Sequence, residues 1–284
     1  VKEYLLTRGG KASAIDDFIV IMFLIGNDFL PHAPALEEMS ASISQLLDIY
    51  AEGDYNLTME NEYGERSINW DSMKLFMQQV AARENELLAR LSTRQVKYPS
   101  RFLQAALVNG QFYPDIFRST WYQNALGPKG PKDFTAALAE IIGKYEVTDQ
   151  DYMTHPAAQL DITDISAVTP DRIEKMTVDY MRTMEWIYLY YREGTNAINQ
   201  DWAYPYYHTP MLVDLATVIQ TVNVTRTITG YAAYQGMVPF TALHQLIAVL
   251  PMKSKDLLPL ELQPLFTYNS IIRDFFPENF IIEM

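Results

Sequence analysis

Asp28 is the side chain in this sequence best placed for chemistry. It lies in Gly26-Asn27-Asp28-Phe29-Leu30-Pro31-His32, directly after an unbroken apolar run from Phe18 to Ile25. Glycine and asparagine both accept the left-handed backbone that ends a helix, so Asp28 falls at the rim of a buried element. A carboxylate is costly to bury alone, so one at such a rim is hydrogen-bonded, ion-paired or bound to a metal. The plainer alternative is an aspartate bonding its own backbone in the turn. His32 and His208 can touch phosphate or orient a carboxylate, and can equally be satisfied structural histidines. His244 sits in an apolar helical stretch and reads as core. Cysteine is absent, which removes thiolate nucleophiles, thiolate metal sites and disulfides. No Ser/His/Asp arrangement stands out. Asp54-Tyr55-Asn56 opens like a calcium loop, but its sixth position is Met59 where that loop needs glycine.

The elements that must position Asp28 read as helices. Ser13 and Asp16 have the spacing of a capping box and predict a helix through about Ile25, apolar nearly all round and therefore buried. Asp16 and Asp17 lie in its first turn, where the helix dipole favours anions. At about 1.5 Å per residue, Asp17 would sit some 16 Å from Asp28, so the acidic pair is read as structural. A second helix is expected over 33–50, with Ile43, Leu46, Leu47 and Tyr50 on its apolar stripe. A short hairpin near 57–68 turns at Tyr63-Gly64-Glu65. Asn69 then caps a helix running from Trp70 to about Leu91, and the basic residues Arg90, Arg94, Lys97 and Arg101 follow at its exit. They read as compensation of the helix dipole on a solvated face, with an RNA-backbone patch as the alternative.

Further helices are expected over 134–145 and from Asp171 to Gly194, with an acidic loop over 152–170 between them. Pro205 and Pro210 force the aromatic stretch Trp202-Ala203-Tyr204-Pro205-Tyr206-Tyr207-His208 into an extended loop. No internal repeat or clear linker is visible, and one mostly helical domain is the economical reading.

The chain has 284 residues, 49% of them hydrophobic and 13% aromatic, which is ample for a sizeable core. A net charge of −13 argues against a protein that grips nucleic acid mainly by its own charge. It leaves room for a metal nuclease, whose catalytic face must itself be acidic. No stretch approaches the roughly 18 consecutive apolar residues of a membrane span, so no membrane partner is expected. The lack of cysteine fits a reducing compartment, the cytoplasm or the nucleus. The chain opens Val1-Lys2-Glu3-Tyr4, with no initiator methionine, which suggests a piece of something longer.

Five blocks in order resemble the second conserved region of the Xrn-type 5′-3′ exoribonucleases. They are Gly26 to His32 (with Ile15-Asp16-Asp17-Phe18 before it), Phe117 to Tyr122, Glu185 to Gly194, Trp202 to Leu215, and Gln245 to Pro277. Ala125 stands where the family has a lysine, and His208 follows a second tyrosine where the family more often has His before Tyr. The resemblance implies a mainly α chain that forms the helical half of a larger α/β nuclease catalytic domain. It implies processive hydrolysis of single-stranded RNA carrying a 5′-monophosphate, with magnesium or manganese as cofactor. Asp28 matches one carboxylate of the family's metal cluster. The remaining ligands and the 5′-phosphate pocket would come from an upstream catalytic half, so this chain alone would be inactive. Trp202 is the expected base-stacking residue, the alternative being that it packs the aromatic loop against helices. His32 and His208 are the further candidates for substrate contact. The competing expectation is a helical scaffold or interaction module that kept this half and lost catalysis.

Overall fold

Asp17, not a Ser13–Asp16 capping box, fixes the first helix. In the computed structural model, which describes residues 13–62, 64, 66–96, 100–127, 168–233, 236, 241–267 and 269–270, helix α1 spans Ala14–Met22. The Ser13 hydroxyl donates to Asp17 Oδ2 at 3.2 Å and makes no bond to the helix backbone. Asp17 is fully buried and also accepts from Tyr50 Oη at 2.7 Å and from the Thr58 amide and hydroxyl at 2.8 and 2.6 Å. These donors satisfy a charge that would otherwise be prohibitive to bury. Asp16 is partly buried and pairs with Arg66 at 2.8 Å and Arg192 at 3.3 Å. Both acids are therefore structural, as their spacing from Asp28 suggested.

A 3₁₀ turn, Phe23–Ile25, continues α1 to the glycine, and a second, Pro34–Leu36, precedes α2 at Met39–Glu52. The helix expected to begin at Ala33 thus starts later. The hairpin forms as expected, with β1 at Thr58–Glu60 antiparallel to β2 at Arg66–Ile68 and Thr58 opposite Ile68. Asn69 caps α3, Trp70–Ala81, by accepting from the Ser72 amide at 3.2 Å. The long helix predicted to reach Leu91 is broken at Ala82 and Arg83, and α4 restarts at Glu84–Ser92. The break places Glu84, 1% exposed, beneath another helix end, where its carboxylate is needed. Then come α5, Arg101–Ala105, a two-residue hairpin of β3, Leu107–Val108, and β4, Gln111–Phe112, and α6, Pro114–Leu126.

Helix α7, Pro170–Glu193, is the spine of this part of the chain. Thr169 caps it by accepting from the Arg172 amide, and Gly194 stops it at φ 80°, a conformation glycine adopts without strain. Met176, Tyr180, Met181, Met184, Ile187 and Tyr188 fill the core from its inner side. Each such burial contributes roughly 1.5–3 kcal/mol. Glu185, fully buried, accepts from Trp70 Nε1 at 2.8 Å and from the Ile68 amide at 3.4 Å, tying the hairpin and α3 to the spine. After the extended aromatic loop come α8, Leu212–Val218, a π turn at Thr225–Thr229 and the short α9, Gly230–Ala232.

The chain divides into two compact units, one made of Val1–Lys132 and Asp161–Met237, the other of Asp133–Leu160 and Val238–Met284. The described part of the second holds α10, Ala242–Val249, and 3₁₀ turns at Met252–Leu257 and Gln263–Phe266 around Leu250, Leu258 and Phe266. His244 is exposed, not core: it completes a capping box with Thr241, each backbone amide donating to the other's side chain. An apolar helical stretch in sequence does not guarantee a buried helix. The expected helix over 134–145, most of the loop over 152–170 and the block at 271–277 lie outside the described residues. Among the described residues the fold is mostly helical with two small antiparallel strand pairs. No helix there is long and apolar enough to cross a membrane.

Candidate metal and nucleic-acid site

The turn after α1 is built so that Asp28 is left over. Gly26 has φ 93°, and a Cβ there would lie 2.8 Å from the His32 backbone nitrogen, so both the angle and the space call for glycine. Asn27 then closes the turn: its amide donates to Leu30 O at 2.8 Å, and its Oδ1 accepts from the Phe29 and Leu30 amides at 2.9 and 3.0 Å. This is the side-chain-to-backbone bonding that the sequence allowed for Asp28 itself. Leu30, 1% exposed, anchors the turn in the core. Asp28 sits exposed at the tip, and among the described residues no hydrogen bond or ion pair engages its carboxylate.

Beside it, Phe29 rests edge-on against Trp186 and Tyr190, with centroids 5.1 and 5.6 Å away. Trp186 and Tyr190 stack on each other along α7 at 5.6 Å. Burial raises the pKa of the Tyr191 phenol, and the Asp28 charge raises it further. Two sequence blocks, Gly26–His32 and the Trp-x-x-x-Tyr-Tyr run of α7, therefore form one surface. Neither block on its own indicates the contact. His32 is exposed at the far end of the turn.

A divalent magnesium ion needs several hard oxygen ligands. Among the described residues no group of three metal-binding side chains comes together. Asp28 has the chemistry of one such ligand, and the described residues do not assemble the rest.

Trp202 is held farther back on the same spine. Its indole nitrogen donates to Thr183 Oγ1 at 2.9 Å, and Thr183 in turn donates to the Asp179 carbonyl at 2.8 Å. Trp186 Nε1 donates to Asn199 O at 2.7 Å and pins the approach to the loop. Trp202 is half-buried: its polar edge is packed against α7, and part of the ring remains at the surface.

His208 is drawn elsewhere. Arg101 donates to Asn124 Oδ1 at 2.8 Å, which leaves Asn124 Nδ2 to donate to His208 Nε2 at 2.6 Å. The relay has one polarity, and it requires a neutral imidazole that accepts at Nε2. Burial, with the Arg101 charge adding to it, pushes the His208 pKa down to about 4. The ring lies edge-on to Trp121 at 4.7 Å and Phe102 at 5.9 Å. Its bonds and ring contacts run to α5 and α6, not to the Asp28 turn.

A second polar cluster joins residues far apart in the sequence. Arg118 grips Asp214 with two bonds of 2.5 and 2.7 Å, and the Tyr122 hydroxyl donates to the same carboxylate. Glu84 accepts from the Leu212 and Val213 amides at 2.7 and 2.9 Å and so caps α8 from a distant helix. Burial raises Glu84 to about 7 even though these amides oppose it. Burial raises Glu185 to about 7 as well, against the bonds from Trp70 and Ile68. A cleft of about 240 Å³ beside α6 is lined by Asp115, Arg118, Ser119, Tyr122, Gln123, Val168 and Ile173. None of the four site residues read from the sequence borders it.

The comparisons with known proteins agree with the resemblance. A family model described as the Xrn1 helical domain matches residues 11–113 and 159–284. The 5′-3′ exoribonuclease 2 homolog of Drosophila melanogaster is 23% identical over 295 residues, covering 95% of this chain and 31% of that protein. The 5′-3′ exoribonuclease 1 of Homo sapiens is 26% identical over 307 residues, covering 99% of this chain and 17% of its own length. In Schizosaccharomyces pombe, 5′-3′ exoribonuclease 2 is 35% identical over 121 residues, or 42% of this chain and 11% of that protein. The chain thus spans less than a third of each of these three relatives. The mostly helical fold, the meeting of the Asp28 turn with the aromatic run of α7, and a family match over most of the sequence lead to one assignment: the chain belongs to the Xrn1 helical domain family.

Proposed function

We propose that this chain works as the helical part of a 5′-3′ exoribonuclease that removes mononucleotides from single-stranded RNA bearing a 5′-monophosphate. The observation that carries the reading is Asp28: a carboxylate with no hydrogen-bond or ion-pair partner among the described residues, at the tip of a turn that Asn27 closes through its own backbone amide and Oδ1. An anionic oxygen held in that way is suited to be one ligand of a magnesium ion, with the other ligands supplied from outside this chain. The ion, when bound, supplies an activated water and charge neutralisation at the phosphate. This chain's own residues do the positioning. Leu30 and Asn27 fix the turn, Trp186 and Tyr190 brace Phe29, and Thr183 holds the Trp202 indole at the surface as a base-stacking platform. Manganese would substitute at such an oxygen site. His32 is a candidate phosphate contact. His208 is assigned to the support of the loop rather than to direct substrate contact, because its Nε2 is taken by Asn124, its ring packs against Trp121 and Phe102, and burial keeps it uncharged. The cytoplasm or nucleus is the proposed site of action.

The test uses the complete protein with 5′-monophosphorylated RNA and magnesium. Asp28→Asn is expected to abolish nucleotide release while leaving the thermal transition in place. Wild-type turnover by that variant would remove the assignment. A protein that binds RNA but never hydrolyses it, with Asp28 intact, would favour a non-catalytic scaffold instead.

A further inference from the structure

We infer that Tyr231, with Arg182 behind it, extends the Trp202 platform into a two-ring binding surface for single-stranded nucleic acid. The inference rests on the nucleic-acid reading of Trp202 and adds a residue to it. Tyr231 lies in the short helix α9 and is 41% exposed. Its ring stands edge-on to Trp202, with centroids 5.2 Å apart and planes at 86°. The Arg182 guanidinium carbon lies 4.3 Å from the Tyr231 ring centre and 6.0 Å from that of Trp202. Arg182 is not free to swing away: Nε donates to Thr227 O at 2.8 Å and Nη1 to Asp179 at 3.0 Å. Asn199 fixes α9 beneath the ring: its Nδ2 donates to Tyr231 O at 3.2 Å and its backbone amide to Ala232 O at 2.9 Å.

The local charge is also unusual for so acidic a chain. Asp179 is buried and answers both Arg182 and Lys175, the latter at 2.6 Å with its side chain 65% exposed. Two cations thus share one buried carboxylate along this stretch of α7. A phosphate backbone is drawn to such cations, while bases stack on the rings without regard to sequence. A rigid Tyr backed by a pinned guanidinium beside a tethered Trp is a prebuilt surface, needing little ordering when a strand arrives.

The experiment compares Tyr231→Ala, Tyr231→Phe and Trp202→Ala in the complete protein, reading affinity for a single-stranded oligouridylate by fluorescence anisotropy. Tyr231→Ala is expected to weaken binding about fivefold to tenfold, Tyr231→Phe to bind as wild type, and Trp202→Ala to weaken it at least as much as Tyr231→Ala. If Trp202→Ala weakens binding and Tyr231→Ala does not, the Tyr231 inference falls and the Trp202 reading survives. If neither weakens it, both fall. A second measurement is independent of folding defects: wild-type protein irradiated with 5-iodouridine RNA should yield an adduct on the peptide containing Tyr231. An adduct map that omits that peptide overturns the inference.

Discussion

Asp17, in the first turn of α1, and Asp28, just past its far end, have opposite fates. Asp17, at the start of α1, is fully enclosed and receives four donors: the hydroxyls of Ser13 and Tyr50, and the amide and hydroxyl of Thr58. Asp28, just beyond the helix end, is exposed, and none of the described residues donates to it. The same side chain serves architecture in one place and is held in reserve in the other. The difference lies in neighbours: Asn27 takes the backbone donors that Asp28 would otherwise accept. A satisfied acid is part of the fold, and an unsatisfied one on a rigid mount is available to something else.

Substitution can break that contrast. The largest expected effect is on activity. Asp28→Ala should cost at least about 100-fold in nucleotide release by the complete protein, with little change in melting temperature. A large drop in melting temperature would show Asp28 to be structural after all, and the contrast would collapse. Asp17→Ala should do the reverse. It leaves buried donors unanswered and is expected to cost about 3 kcal/mol or more in a denaturant titration. The protein that still folds should keep its specific activity.

A sharper version uses the buried acids Glu84 and Glu185, each raised from an ordinary 4.5 to about 7 by burial. Their folded forms hold a proton that the unfolded chain has released. Their contribution to stability is therefore full below about pH 4.5 and is lost as pH rises through about 7. His208 runs the other way. Held neutral down to about 4, it contributes fully above its ordinary 6.5 and loses that contribution as pH falls. Glu185→Gln should flatten the decline in stability between pH 5 and 7, and His208→Gln should flatten the rise in the same interval. Melting curves across pH measure both, and parallel curves for wild type and variants would refute the assignments. The smallest effect is expected at Asp71, whose bond to Lys74 spans 3.5 Å at a site 95% exposed. Asp71→Ala should leave the melting temperature unchanged, because such surface pairs are screened by water.

Sequence patterning located α7, the hairpin, the Asn69 cap and the proline-bounded loop, because each rests on a local signal: periodicity, a turn residue or a missing amide. It also marked Asp28, through the glycine and asparagine before it. What it could not supply were contacts between distant residues. Glu84 reads as an ordinary helix-surface acid until α8 is seen above it. Arg118 and Asp214 have no shared periodicity, and Tyr231 has no motif. The break at Ala82 and Arg83 carries no proline or glycine; tertiary packing around Glu84 overrides a continuous helical pattern there. His244 shows the opposite error, where apolar neighbours suggested burial and the residue became a cap.

Helix α7 has a further consequence as a measuring rod. It tethers the indole of Trp202 at Thr183 and supports the acidic turn at Trp186 and Tyr190, with no proline or glycine between. Three to seven residues of unbroken helix set those two fittings about 5–10 Å apart along its axis. That interval can change only by bending or unwinding the rod itself. A proline placed at Ile187 would therefore disturb the calibration between the two fittings while leaving every residue at either end chemically intact.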